Sequence, residues 1–292
     1  MAISAPTAST AAAPLAGKLA IITGSSRGIG EAIAHNLAGK GANVIINYPN
    51  QAQAAEAATV CEALVKTYAV KAVSVEADIS TPAGAASLVA GARKAFGGAP
   101  FQVDILVNNA GVAINNKLPD IKVSDFEDSF RVNVLGSLLV TQAVQPFLPT
   151  DGSGRVVSLS SISASCGFVG QSIYGGTKAA IESMTRTWAR ELNGRATVNC
   201  INPGPVEGPM YKSNTEEFKR AIRGWIEHTP LMQVRPGIDP PELVEDAKST
   251  GGRPAYKREI AGVVGMLCTP DASYITGQVV CANGGMLMAG AC

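Results

Sequence analysis

Tyr174 and Lys178 stand four residues apart in "IYGGTK". On a helix that spacing puts both side chains on one face, with the ammonium near the phenol. A neighbouring positive charge favours phenolate and is expected to draw the tyrosine pKa down from about 10 towards neutrality, which suits a proton donor to a nascent alkoxide. Ser161, thirteen residues earlier and directly after "GRVVSLS", supplies a hydroxyl that can polarise the same oxygen. The three groups together suit hydride delivery to a carbonyl carbon, where charge builds on oxygen and needs donors already in place. Taken alone, a Tyr-x-x-x-Lys spacing equally fits a half-buried tyrosine packed at a helix start.

A second chemical signal lies near the start of the chain. "TGSSRGIG", Thr23 to Gly30, has the spacing Gly-x-x-x-Gly-x-Gly over Gly24, Gly28 and Gly30. Glycines allow a tight turn and close backbone approach, and a helix that opens there offers free N–H groups and a positive dipole end to a pyrophosphate. Ser26 and Ile29 lie within the same turn. An acid at the end of the next strand would bind a free ribose 2′-hydroxyl and repel a 2′-phosphate. That strand, "IINYPNQ", carries Asn47 instead, with no acid before Glu56. Arg27 can supply a guanidinium to a 2′-phosphate, so NADP(H) is the expected cofactor; the other reading of Arg27 is an ordinary solvated loop residue.

The elements that must position these groups follow from an alternation that begins at Lys18. Short β-branched runs, "KLAIIT", "ANVIIN", "KAVSVEAD", "VDILVNN", "GRVVSLS", "ATVNCIN" and "GQVVCA", alternate with helical stretches near 28–40, 51–67, 82–96, 123–148, 173–193, 214–226 and 257–268. This is the pattern of an α/β fold: one doubly wound, Rossmann-type domain with a seven-stranded parallel sheet and helices on both faces. Ligands of such sheets lie outside the carboxyl ends of the strands, where both signals fall. One segment breaks the rhythm. Pro230 to Tyr256 is rich in proline and glycine and shows no clear period, so it reads as a long loop, either a lid or disordered.

The totals exclude several classes. With 292 residues, 46% of them hydrophobic, and a net charge of +1, the chain can bury a large core and has no general attraction to nucleic acid or anionic membranes. Six cysteines occur without a Cys-x-x-Cys pair, beside only two histidines, so metal-ligand spacing is absent and no metal is expected. The most apolar long run, Val132 to Leu148, is interrupted by Asn133, Ser137, Gln142 and Gln145, which suits a buried helix rather than a membrane span. The first sixteen residues lack a basic region and a sustained apolar core, so a flexible leader over 1–16, a single domain over 17–292 and a cytoplasmic location are expected.

From about Lys18 to Gly285 the chain resembles the short-chain dehydrogenase/reductase family. "TGSSRGIG" is similar to that family's cofactor turn, "NNAG" (Asn108 to Gly111) to its motif after the fourth strand, and "SLSS" with Tyr174 and Lys178 to its catalytic set. "NPGPVEGPM" and "ITGQVVCANGG" are similar to its later motifs. The resemblance implies a catalytic set of Asn133, Ser161, Tyr174 and Lys178, with Tyr174 as general acid/base, Lys178 also holding the nicotinamide ribose and Asn133 supporting a proton-relay water. It implies that Asp78 and Ile79 flank the adenine and that Asn108, Asn109, Ala110 and Gly111 line the cofactor. It further implies that Pro203 and Gly204 bend beneath the nicotinamide and that Val206 meets its carboxamide through the backbone. A homo-oligomer, a tetramer or dimer built on the helices near 123–148 and 173–193, is implied in the same way. Two departures stand out: Gly175 and Gly176 follow the tyrosine at a cost of roughly 1 kcal/mol each in a helix interior, and the segment 230–256 is longer than in compact members.

Ser163, Cys166 and Phe168 from the stretch between Ser161 and Tyr174, with Met210, Tyr211 and Trp225 from a lid over about 205–257, are the expected walls of the substrate pocket. Their apolar and aromatic character points to NADPH-dependent reduction of a bulky, largely apolar ketone, polyketide-like or cyclic aromatic as in secondary metabolism, to a secondary alcohol. The competing readings are an NAD-dependent alcohol dehydrogenase and a nucleotide-binding sensor without turnover.

Overall fold

In β1, Leu19–Ile22, every side chain is buried, as its run of apolar residues with no polar partner demands. Alternate residues serve opposite faces. Ala20 and Ile22 enter one core with Val44 and Ile46, while Leu19 and Ile21 enter the other with Ile45. A sheet covered on both faces is the consequence. The computed structural model, which describes residues 13–98 and 100–288, has this arrangement.

The elements run β1, α1 (Gly28–Gly39), β2 (Asn43–Tyr48), α2 (Ala54–Tyr68), β3 (Ala72–Glu76), α3 (Pro82–Phe96), β4 (Ile105–Asn108), α4 (Val123–Phe130), α5 (Gly136–Val144), β5 (Gly154–Leu159), α6 (Ser163–Cys166), α7 (Ser172–Glu191), β6 (Ala196–Ile201), α8 (Pro209–Lys212), α9 (Glu216–Glu227), α10 (Pro241–Thr250), α11 (Lys257–Cys268) and β7 (Val279–Val280). All seven strands are parallel, in the order β3-β2-β1-β4-β5-β6-β7. The order reverses between β1 and β4, so the crevice for a ligand opens at Thr23 and Asn108. Ile33 and Leu37 of α1, Leu64 of α2 and Val264 of α11 fill the core on one face. Leu88 of α3, Val140 of α5 and Trp188 of α7 fill the other. Each such side chain contributes about 1.5–3 kcal/mol by leaving water.

The doubly wound domain expected from the alternation is therefore present, with four differences. The long helix expected over 123–148 is broken: a π turn, Arg131–Leu135, separates α4 from α5, and Pro146 closes the run in a 3₁₀ turn. The segment 230–256, read as structureless, contains a 3₁₀ turn at Pro230–Met232 and the ten-residue α10. Pro241 at the first turn, Glu242 beside it, Lys248 in the last turn and Gly251 at φ 83° are start and stop signals that the surrounding prolines and glycines obscured. The last strand is two residues long rather than six. Leu15, within the stretch read as a leader, is buried in the core and its N–H donates to the Lys40 carbonyl at 2.9 Å; residues 1–12 of that stretch lie outside the described residues.

Cys61, Cys166, Cys200, Cys268 and Cys281 are free thiols. Among the described residues no helix is long and apolar enough to cross a membrane.

Candidate active site

β5 delivers Ser161 to the carboxyl edge of the sheet, and a short hydrogen-bonded chain fixes it there. Ser161 Oγ accepts the Ser163 N–H at 3.1 Å and donates to Ser163 Oγ at 3.0 Å, which in turn donates to Gln171 Oε1 at 2.6 Å. Gln171 precedes α7, and its carbonyl accepts the N–H of Gly175 at 2.8 Å. Gly175 can approach this closely because it lacks a side chain: a Cβ would lie 2.5 Å from the Ser163 carbonyl oxygen. This explains the first departure at Gly175. At Gly176 a Cβ would make only an ordinary 3.9 Å contact with the Phe130 ring.

The same close approach sets Tyr174 beside Ser161. Lys178, buried one turn on, lies 5.6 Å from the Tyr174 ring centroid, and its ammonium donates to the Leu159 carbonyl at 2.7 Å. Burial pushes the lysine down to about 8. Burial also pushes the Tyr174 phenol above its ordinary range, opposed in part by hydrogen bonding to Ser161. The tyrosine shift is thus opposite to the one expected from the Tyr-x-x-x-Lys spacing: desolvation of the phenolate outweighs the hydrogen bond with Ser161.

Asn133 occupies the π turn and is buried. Its Oδ1 accepts the Val112 N–H at 2.8 Å, and its Nδ2 donates to the Val112 carbonyl at 2.9 Å and to Thr177 Oγ1 at 3.0 Å. The side chain therefore ties the loop after β4 to the helix that carries Tyr174 and Lys178. Gly111, beside that loop, stands where a Cβ would be 3.6 Å from Lys178 Nζ.

At the other end of the crevice, Gly28 has φ 67° and faces open space, and Arg27 at the helix start makes no side-chain capping bond. The first N–H groups of α1 are thereby left facing the turn. Gly30 is held tightly, since a Cβ would come within 2.5 Å of the Gly24 carbonyl and 2.6 Å of Asn109 Nδ2. Asn109 Nδ2 donates to the Thr23 and Gly24 carbonyls at 2.9 Å, and Thr23 Oγ1 accepts the N–H groups of Asn109 and Ala110. Ser26 is turned inward to Gln53 at 2.7 Å. Asn47 is buried, accepting the Gly24 N–H and donating to the Ala77 and Val75 carbonyls; its amide is spent in knitting the turn to the sheet. Arg27 is half exposed and 4.0 Å from Glu56.

Asp78 is exposed and accepts the Ser80 N–H, while Thr81 rather than Asp78 caps α3. Ile79 is buried against Gly136. The Pro203 carbonyl accepts the Ile162 N–H, joining the bend at Pro203 and Gly204 to the serine loop. Val206 pairs with Ala255: the Pro205 carbonyl accepts the Ala255 N–H and the Ala255 carbonyl accepts the Glu207 N–H, both at 2.9 Å. In parallel pairing this leaves the N–H and C=O of Val206 itself facing the other way. Uncapped α1, the open side of Gly28, that backbone and the remaining N–H groups of Lys178 fit a nicotinamide dinucleotide.

The proposed pocket residues divide. Cys166 and Phe168 pack against a small apolar cluster of Ile162, Ile222, Ile226, Met232 and Met286. Phe168 meets Trp225 and Phe218 edge-on, at 5.6 and 6.4 Å between ring centroids. Phe168 thus packs on both lid aromatics. Met210 and Trp225 remain about half exposed, and the Tyr211 hydroxyl is buried without a partner among the described residues. Gln171 and Thr177 were not foreseen as site residues. Both lie between Ser161 and Lys178, but their partners are fixed only by the packing of α6 and of the π turn on α7.

The second half of the lid is ordered by a polar cluster. Asp239 accepts from the Arg235 N–H at 2.7 Å, from its guanidinium at 2.9 and 3.1 Å, and from the Tyr256 hydroxyl at 3.0 Å. The Tyr256 ring lies 4.4 Å from the Arg253 guanidinium and 4.6 Å from that of Arg258.

Residues 18–219 match the model of the short chain dehydrogenase family. The chain is 48% identical to an L-xylulose reductase of Aspergillus niger, over 93% of this chain and 98% of that protein. It is 44% identical to an L-xylo-3-hexulose reductase of Hypocrea jecorina, over 95% and 99%. Among solved structures, a blue fluorescent protein from a metagenomic library in complex with NADPH superposes with a TM-score of 0.79 at 30% identity, covering 94% of this chain and all of that one. A Burkholderia cenocepacia short chain dehydrogenase in complex with NADP gives 0.78 at 30% identity, covering 94% and 99%. Shared sequence along nearly the whole chain, and a tyrosine, a lysine and a serine converging at the carboxyl edge of a parallel sheet, make this protein a member of the short-chain dehydrogenase/reductase family of oxidoreductases.

Proposed function

We propose that the protein reduces the carbonyl of a linear ketose to the corresponding polyol with NADPH as hydride donor. The observation that carries the reaction type is the convergence of Ser161, Tyr174 and the buried Lys178 at the end of β5, with the Tyr174 phenol raised rather than lowered and so in its protonated form. A protonated phenol is the form that reduction needs, whereas alcohol oxidation needs the phenolate. The names of the two fungal relatives support a ketose, and the two cofactor-bound neighbours support NADP(H).

Bound NADPH supplies the hydride. Ser161, whose Oγ stays anchored by accepting the Ser163 N–H, turns its hydroxyl proton from Ser163 Oγ to the substrate carbonyl oxygen. Tyr174 passes its proton to that oxygen as charge builds on it. Lys178 steadies the phenolate left behind and offers its other N–H groups to the ribose. Asn133 keeps Val112 and Thr177 in register around them. Arg27 meets the 2′-phosphate. Exposed Val123, Phe126 and Leu135 on α4 and the π turn support a homo-oligomer built on this side of the molecule.

A bulky apolar ketone is the second reading, favoured by exposed Met210 and Trp225. NADPH oxidation measured over L-xylulose, aliphatic ketones and fused aromatic ketones separates the two, and turnover of the aromatic set alone removes the ketose. Tyr174→Phe is expected to lower kcat by about 10³-fold or more while NADPH still binds; unchanged turnover removes the mechanism.

A further inference from the structure

Three consecutive residues at the end of β5 are each tied to α7 or to the loop that leads into it. The Leu159 carbonyl accepts from Lys178 Nζ at 2.7 Å. Ser160 Oγ donates to Glu182 Oε1 at 2.7 Å and lies 3.3 Å from the Lys178 carbonyl oxygen. Ser161 is linked through Ser163 to Gln171, directly before the helix. On the strand side Ser160 is fixed, since it is buried and its N–H donates to the Ile201 carbonyl of β6 at 2.8 Å.

Tyr174, Lys178 and Glu182 follow one another at intervals of four residues on α7. They therefore form a stripe on the face turned to β5, with neighbours about 6 Å apart along the axis. In the reaction proposed above, the members nearest the crevice change partners: Tyr174 gives up its proton, Lys178 shares its N–H groups with the ribose, and Ser161 turns its proton to the substrate. The bond from Ser160 to Glu182 takes no part in these exchanges and stays made throughout. A hydroxyl donating to a carboxylate is among the stronger hydrogen bonds. Here it holds the helix along its axis against the strand that carries Ser161. A slip of about 1 Å would part the phenol from the oxygen that Ser161 engages, and such a misplacement costs up to about 100-fold in rate.

We propose that Glu182 is a positioning residue for carbonyl reduction, setting through Ser160 the register of Tyr174 and Lys178 against Ser161. This rests on the role given to Tyr174 above. Glu182 lies eight residues beyond Tyr174 and acts through the helix rather than at the reacting atoms.

The test follows NADPH oxidation with the ketone that wild type turns over best, in wild type, Ser160→Ala, Glu182→Ala, Glu182→Gln, the double alanine variant and Tyr174→Phe. Counting kcat per NADPH-binding site keeps loss of folded protein out of the comparison. Each single alanine variant is expected to lower kcat about 10- to 100-fold with KM for NADPH unchanged, and the double variant to be no slower than the slower single one. Glu182→Gln keeps an oxygen acceptor for Ser160 and is expected to recover most of kcat. Should Glu182→Ala fail to fold, Ser160→Ala breaks the same bond and decides alone. An undiminished kcat in the alanine variants, losses that multiply in the double variant, or a Glu182→Gln enzyme no faster than Glu182→Ala overturns the role of Glu182. Wild-type turnover by Tyr174→Phe overturns instead the reading of Tyr174 on which that role rests.

Discussion

The ammonium of Lys178 donates to the carbonyl of Leu159 at 2.7 Å, joining the helix that bears Tyr174 to the last residue of the strand that delivers Ser161. Burial holds this lysine down at about 8, against an ordinary value of 10.5. Below the lower value it is charged in both folded and unfolded chains. Between the two values the unfolded chain keeps a proton that the folded protein has released, so folding stability rises with pH across this window. Activity is expected to move the other way. As pH climbs through about 8 the charge that steadies the phenolate is lost, and reductive kcat/KM falls. A profile measured from about pH 6 to about pH 10 that stays flat removes Lys178 from the proton transfer.

Cofactor choice is expected to hinge on Arg27. Arg27→Ala should lower kcat/KM with NADPH by about 10- to 100-fold and leave NADH nearly unaffected, since only the former carries a 2′-phosphate. Glu56, 4.0 Å from Arg27, competes for the guanidinium. Glu56→Gln should therefore tighten NADPH binding, and the gain should shrink at high salt. Equal losses with both cofactors after Arg27→Ala would sink the assignment.

The two glycines after Tyr174 should respond oppositely to alanine. Gly175→Ala places a Cβ 2.5 Å from the Ser163 carbonyl, which forces α7 away from the serine loop and is expected to destabilise by roughly 1–3 kcal/mol. It should also cut kcat by separating Ser161 from Tyr174. Gly176→Ala meets only the Phe130 ring at 3.9 Å, and removing a helical glycine should stabilise by up to about 1 kcal/mol. Thermal unfolding of the pair checks both signs.

Asp239 holds the lid segment together. The Arg235 hydrogen bond keeps its carboxyl well below the usual carboxylate range, so the stability it contributes is present above the ordinary aspartate pKa and is lost only in stronger acid. Asp239→Ala frees Arg235 and the Tyr256 hydroxyl together. Faster cleavage between about residues 233 and 256 under native limited proteolysis is the expected result, with a raised KM for NADPH transmitted through Ala255 to Val206. Unchanged proteolysis would show that the segment is held by α10 alone.

Much of this was legible in the order of residues. The alternation of β-branched and alanine-rich runs marks the sheet because a parallel strand is buried on both sides, and Ile21 and Ile22 show that burial directly. Ser161, Tyr174 and Lys178 could be singled out because their types are costly to bury without purpose. What escaped depends on contacts distant in sequence. The phenol shift of Tyr174 is set by everything that covers it rather than by Lys178 four residues away. Phe168 and Trp225 were expected to line a pocket, and their edge-on contact across 57 residues of chain is one that local spacing does not reveal. Asn47 sits where a cofactor contact was expected, and the four hydrogen bonds of its side chain, which hold the turn to the sheet edge, could not be read from its position in the sequence.

The π turn at Arg131–Leu135 carries a constraint on heredity. It acts as one surplus residue spliced into an otherwise regular helix, and the frame of every side chain after it depends on that surplus. Ser137 and Thr141 bond back to the carbonyls four residues before them, and Thr141 accepts the amide of Asn108 at the crevice. Deleting a single codon here would regularise the helix and swing these hydroxyls about 100° off the sheet. Apart from Asn133, point substitutions in this stretch can drift, but its length cannot.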